Sequence, residues 1–347
     1  MKLLISLALF AAFLFCPAAC AEGVRDGLSL AAGQALPALF PFFLASGLLT
    51  RSGLAQALSR LAARPLWALY RLPPAAAPAV ILGLTGGYPV GTATTADLLR
   101  QGALARDTAA RVNCFCNCAS PGFCIGLAGL GIFGSARTGA VLYGIHVLAA
   151  LLVGLFAARA DAPVLPAPTA RTTDQTTRQS FSAMFCAAVQ QAAATALTVT
   201  AFLTVFCILL HLIQPVLSQL PYGNAGAGLL ELTSGLDALD PLPLPDSVKL
   251  TLTSFLLGFG GLAVQFQARA LAEPAGLPMR GFTACKLLHG ALAAALTALL
   301  TRLFPAVLPA FASADAAAVP HPHLFPFLIL LLVMFAIWSG KKAKNKI

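Results

Sequence analysis

Charge is scarce in this chain. Acidic and basic residues make up 10% of 347 positions, against about 25% in ordinary soluble domains. Hydrophobic residues fill 59% of the sequence, so the solvent of this protein is lipid and not water. The signatures of common chemistry are absent as well: there is no Walker A loop, no GxSxG elbow and no HExxH pair, so an enzyme is not expected. Cys114, Cys116, Cys118 and Cys124 alternate along a helix that would scatter their thiols around its circumference. No CxxC pair or nearby histidine completes a tetrahedral set, so no metal site is expected. Most of the nine cysteines fall in apolar segments, where they are small, polarizable fillers and not a disulfide framework.

What is present is a set of long apolar segments. Crossings are predicted at 3–20, 35–50, 112–134, 138–158, 183–210, 248–268, 283–303 and 322–339, each near the length needed to span a bilayer. Segments 74–100 and 222–245 are read as re-entrant hairpins. The net charge of +10 does not point to nucleic acid. With residue 1 in the cytoplasm, all cations except Arg25, Arg137, Lys249 and Arg302 fall on the cytoplasmic side, Lys286 and Arg111 among them, which is the positive-inside pattern. Both termini are therefore expected in the cytoplasm of a multi-pass protein of the cell membrane. The start, Met1 to Ala21, imitates a secretory signal, but keeping it gives an even number of crossings.

The chain divides into an N-terminal helix and connection (1–34), a first repeat (35–160), a Pro/Thr-rich cytoplasmic linker (161–181) and a second repeat (182–304). An external connection, a last span and a basic tail follow (305–347). The two repeats agree in their intervals. His146 lies 29 residues after Asn117 and 57 after Pro89; His289 lies 29 after Gly260 and 58 after Glu231. Matching interruptions in two halves are the sequence mark of a transporter whose site lies at broken helices. Arginines flank 74–100, while Glu231, Asp237, Asp240 and Asp246 accompany 222–245, so the hairpins are predicted to enter from opposite faces and the halves to be inverted.

Broken backbone within a membrane must line a cavity or be buried in protein. Gly86, Gly87 and Gly91 are expected to supply turn conformations, and Pro89 to leave a hairpin tip of free amides beside Thr92, Thr94 and Thr95. Glu231, with Thr233 and Ser234, is the leading site residue, because an acid inside a membrane segment is expensive to keep. It is a candidate for solute contact and for coupling, with a proton or sodium ion as the open choices of coupling ion. Asn113, Asn117 and Ser120 either bind solute or cap the half-helices. Tyr88 either stacks on a planar solute or packs, Gly260 marks the second break, and Gln265 and Gln267 follow it. His146 and His289 sit at equivalent positions, as relay groups or as interhelical hydrogen-bonding groups; His321 and His323 read as loop residues.

Leu39-Phe40-Pro41-Phe42-Phe43, Gly86-Gly87-Tyr88-Pro89-Val90-Gly91, Asn117 with Ser120-Pro121, and Glu231-Leu232-Thr233-Ser234-Gly235 together resemble the YlbJ family of sporulation integral membrane proteins, within the group carrying the nucleoside-recognition or Gate domain. The order of hairpin, broken span and helix, twice over, is similar to the concentrative nucleoside transporters. The resemblance implies an all-α polytopic transporter of a small polar or anionic solute. It implies dipicolinic acid leaving the mother cell across the membrane around the forespore. Nucleosides or related heterocycles are the nearest alternative, and a non-transporting scaffold for the spore envelope is the alternative of another class. The chain departs from the family pattern at Thr92-Ala93-Thr94, where the pattern carries a lysine. The partners expected are the solute and the lipid bilayer, with self-association left open.

Overall fold

The computed structural model describes residues 2–52, 54–160, 180–220 and 223–304. The expected linker core (161–179), the last span (322–339), His321, His323 and the basic tail lie outside the described residues. Among those described, every regular element is helical, as apolar composition with local backbone hydrogen bonding requires in lipid.

Helix α1 covers Lys2–Phe15. Helices α2 (Pro17–Leu30) and α3 (Leu36–Arg51) continue one another through a π-helical turn at Ala31–Ala35. They form one rod of 35 residues, so the expected crossing at 35–50 is the second part of a longer helix. Helix α4 (Leu54–Tyr70) follows. Then come the hairpin arms α5 (Ala77–Thr85) and α6 (Val90–Arg100). Next is a broken span made of α7 (Arg106–Phe115) and a π-helical segment, Phe123–Ile132, and after it α8 (Ala136–Ala160).

The second half repeats this order. Helix α9 (Phe181–Leu217) has 37 residues and is capped by Ser180, whose Oγ accepts from the Ala183 amide. A short arm, α10 (Gly223–Gly226) with one 3-10 turn, precedes α11 (Leu232–Leu239). Helices α12 (Asp246–Phe259) and α13 (Gly261–Ala272) form the second broken span, and α14 is Phe282–Leu303. Five stretches among the described residues are long and apolar enough to cross a membrane: Pro17–Arg51, Ala136–Ala158, Phe181–Leu217, Asp246–Ala275 and Phe282–Leu303. The described residues are thus helical throughout their regular elements and consistent with a polytopic membrane protein.

Close backbone approach organises the packing. Gly23 and Gly27 press α2 onto α9 so tightly that a Cβ at either would lie 2.5 or 2.4 Å from the Cα of Ile208 or Thr204. Small residues four apart are the usual device for such a crossing where no hydrophobic force drives helix association. Gly258 and Gly290 meet in the same way between α12 and α14, with a would-be Cβ 2.6 Å from the facing Cα. One buried cluster takes Tyr88 and Ala119 from the first half and Leu232, Leu236 and Leu257 from the second, so the halves share a core.

Candidate functional site

The first hairpin tip is built by glycines with two different jobs. Gly87 alone of the tip residues has a positive φ, +88°, a conformation that suits glycine. Gly91, expected as a turn residue, is helical; a Cβ on it would lie 1.7 Å from the carbonyl oxygen of Cys116, and one on Gly83 1.8 Å from the same atom. These two glycines exist to let the hairpin touch the broken span. The tip is also not a set of free amides. Asn117 Oδ1 accepts from the Thr92 amide at 2.9 Å and from its hydroxyl at 3.0 Å. The Val90 and Ala93 amides bond the carbonyls of Gly87 and Pro89. Of the expected solute-binding amides, those of Val90 and Thr92 are therefore spent, because a buried N–H without water must find a protein partner.

Asn117 is spent too. Its Nδ2 donates to the carbonyl of Asn113 at 3.1 Å and to Asn113 Oδ1 at 2.9 Å. Ser120 Oγ accepts from the Phe123 amide at 3.1 Å, so it caps the second half-helix while its residue still lines the central cavity. The break is pinned to the hairpin by the Cys118 amide, which donates to the Gly83 carbonyl at 3.1 Å; in the second half the Ala263 amide donates to the Leu230 carbonyl at 2.8 Å.

Tyr88 joins the two halves. Its hydroxyl donates to the Leu257 carbonyl at 2.6 Å, and its ring lies against Gly260, the left-handed residue (φ +80°) of the second break. Lys286 Nζ reaches the same hydroxyl at 3.1 Å, the Asn117 carbonyl at 2.9 Å and His289 Nδ1 at 3.1 Å. Three acceptors match the three protons of an ammonium. Lys286 is 1% exposed, so its assignment to the cytoplasmic cations is corrected: it is an interior group of the site. Arg111 is also inside, at 7% exposure, with Nη2 donating to the Tyr70 carbonyl at 2.7 Å. Lys286 is three residues before His289, as Tyr143 is before His146. That interval was the available signal for it.

The two histidines, equivalent in sequence, meet in space. Their rings stack with centroids 4.5 Å apart and an interplanar angle of 26°. His146 Nε2 accepts from the Ala119 amide at 2.9 Å, which leaves the proton of a neutral ring on Nδ1. His289 Nδ1 faces Lys286, so its Nε2 carries the proton and donates to the His146 carbonyl at 2.9 Å. Hydrogen-bond partners fix the tautomers. Cys118 does have histidines beside it, contrary to expectation: its sulfur and one nitrogen from each ring lie within 4.8 Å of one another. Both nitrogens of His289 and one of His146 are already used, and an ammonium adjoins them. Too few ligand atoms remain for the three or four that zinc takes from protein.

Glu231 is the N-cap of α11. Oε1 accepts from the Thr233 amide at 3.1 Å and Oε2 from the Ser234 amide at 2.7 Å, with the residue 2% exposed. A carboxylate on the first turn of a helix answers both its free amides and its dipole. Glu231 and Thr233 also line a cavity of ≈ 70 Å³ shared with Tyr88, Ser120, Gln34 and Gln267. Gly87, Pro89, Gly91, Thr92, Asn117, Gly260, His146 and His289 form the wall's support and do not line it. Ser234 faces a second cavity, ≈ 460 Å³, with Asp26, His211, Asn224 and Asp237; the two cavities share Leu30. His211 meets Asp26 there at 2.7 Å. Gln265 is buried with its amide unpaired, so the two glutamines after the break differ in role.

Sequence reasoning also missed Asp97. It is buried in the first hairpin and bonded by Arg100 from its own helix and by Gln191 from α9, which ties the hairpin to the long helix of the second half.

Comparison with known proteins finds a relative for this chain. The chain is 26% identical over 312 residues to the sporulation integral membrane protein YlbJ of Bacillus subtilis (strain 168), an overlap covering 80% of this chain and 76% of that protein. The resemblance to the YlbJ-type family is thereby borne out. No family model matches the chain, and no solved structure matches it.

Proposed function

We propose that this chain is a membrane transporter of a small polar or anionic solute, built from two inverted Gate-like repeats and similar in plan to the concentrative nucleoside transporters. The observation that carries the reading is the central cavity, which is bounded by the tips of both hairpins and by the first break, with α13 of the second broken span in its wall. Contributions from both halves to one site are what alternating access needs. Re-entrant insertion of the hairpins from opposite faces and both termini in the cytoplasm belong to the same proposal.

Dipicolinic acid, moved from mother cell to forespore, is the solute this reading favours, since the relative is named for sporulation. Lys286 supports an anion: it brings to the tip at Tyr88 a positive charge that Thr92-Ala93-Thr94 lacks. Glu231, an acid held at the cavity wall, is the residue this reading assigns to coupling. At ≈ 70 Å³ the cavity is smaller than the roughly 150 Å³ that holds a benzene ring. A planar solute requires the tips to part in the proposed cycle.

The test is thermal stability of the detergent-purified chain across dipicolinate, other pyridine carboxylates and nucleosides. A ligand that binds only the folded state raises the transition saturably. A dipicolinate shift that is lost in Glu231→Gln supports the proposal, and a nucleoside shift moves it to the heterocycle reading. No shift from any of them in well-folded protein leaves the scaffold for spore envelope assembly, with its broken helices as a docking surface.

A further inference from the structure

Helix α4 has no counterpart among the interruptions discussed so far, and its position is fixed by its neighbours. Gly87 at the hairpin tip adjoins Leu39 near the start of α3, while Ser46, further along α3, bonds Thr94 at 2.7 Å, further along α6. Helices α3 and α6 therefore run parallel, and α3 ends where the hairpin opens. The chain leaves α3 at Arg51 and begins α5 at Ala77, both at that end of the bundle. A helix of 17 residues is about 25 Å long and must lie across that end, since both of its connections are there.

Its surface is divided three ways. Leu66 and Tyr70 are buried in the cluster at the base of the hairpin, with Leu72, Ala77 and Leu98. Arg60 and Arg64 are exposed, as are Leu61 (79%), Trp67 (58%) and Leu69 (55%). At about 100° of turn per residue, Leu61 and Pro65 each stand one step round from the arginine before them. The exposed face thus has a basic flank, Arg60 and Arg64, and an apolar flank, Leu61, Pro65 and Leu69. Arg51, Arg71, Arg100 and Arg106 border the same end of the bundle, at the ends of α3, α4 and α6 and the start of α7.

We infer that α4 is an in-plane helix that binds the headgroups of anionic phospholipid, with Arg60 and Arg64 on the phosphates and Leu61, Pro65 and Leu69 among the acyl chains. A helix with one flank basic and the other apolar, lying parallel to the membrane, is held by buried apolar area and by attraction to anionic lipid together. Its occupant is lipid and not polyanionic protein, because the apolar flank adjoins the arginines on one exposed surface.

Trp67 provides the readout. The chain has two tryptophans, so Trp338→Phe leaves Trp67 alone as a fluorophore beside Arg60 and Arg64. The full chain is reconstituted in phosphatidylcholine vesicles holding equal small fractions of brominated phosphatidylglycerol or brominated phosphatidylcholine. The expected result is quenching of Trp67 by both, roughly twofold stronger for the anionic lipid. Arg60→Gln with Arg64→Gln should remove the excess, and high salt should reduce it with the arginines intact. Equal quenching by the two lipids overturns the inference. So does the absence of quenching by either, which would mean that protein, such as a second copy of this chain, covers α4.

Discussion

The two hairpins solve one problem in different ways. In the first, several elements hold the tip: Asn117 and Asn113 take up Thr92, the carbonyls of Gly87 and Pro89 take up the amides of Val90 and Ala93, and the Lys286 ammonium donates to the Tyr88 hydroxyl. In the second, one carboxylate, Glu231, answers the amides of Thr233 and Ser234. The first tip is docked across the molecule, with Tyr88 on Leu257 and Gly260, whereas the second shares with Tyr88, Ala119 and Ser120 the lining of one cavity. The first tip is tied across the molecule by the Tyr88 side chain, while the second is closed on its own helix by the Glu231 carboxylate.

The largest effect is expected where the first hairpin touches its own broken span. Gly91→Ala places a methyl group 1.7 Å from the Cys116 carbonyl, and a backbone clash cannot relax by rotamer change. It should cost about 3 kcal/mol or more in unfolding titrations, whereas Gly126→Ala, which meets nothing within 4 Å, should be close to neutral. Next comes Asn117→Ala, which leaves the Thr92 amide and hydroxyl without their Asn117 acceptor. About 3 kcal/mol is expected from stranding buried polar groups, with the first half affected before the second in hydrogen exchange. A uniform loss of protection in both halves would contradict the idea of a separately wired first tip.

Lys286→Met tests the joint between halves. It strands the Asn117 carbonyl and His289 Nδ1 but also removes a buried ammonium, so a net loss of about 2 kcal/mol is expected. Hydrogen exchange at the Val90 and Thr92 amides, measured with Lys286 intact and replaced, should become faster in the Met variant; an unchanged rate would mean that Lys286 does not hold the tip. The smallest effect on stability should come from the second tip. Glu231→Gln keeps one acceptor for the α11 amides and should cost only about 1 kcal/mol, while abolishing any solute-induced stabilisation. A stability loss as large as that of Asn117→Ala would erase the distinction between a structural tip and a responsive one.

The sequence made the repeat legible because both halves carry breaks and histidines at matching intervals, and backbone interruption in an apolar run is a strong signal. It also found Tyr88, Ser120, Glu231 and Thr233, which line the cavity. It overread the first tip. Composition cannot tell that Asn117 faces Thr92, so amides that the structure pairs were expected to be free. It misread Gly91 as well, because close approach and positive φ leave the same residue in a sequence. Lys286 was lost to the positive-inside tally, since a lysine near the start of an apolar helix is usually an interfacial anchor.

Low charge, long apolar runs and paired interruptions determined by themselves that this chain is helical, carries several helices long and apolar enough to cross a membrane and breaks its helices in two corresponding places. Those properties follow from the cost of unpaired backbone and charge in lipid, which acts on each segment separately. Only the tertiary structure decided that His146 stacks on His289, that Lys286 bonds Tyr88, Asn117 and His289, and that both tips line one cavity while the first is docked on the second half. These contacts join residues as far as 198 positions apart, and distance along the chain carries no record of which polar groups will meet once the helices pack.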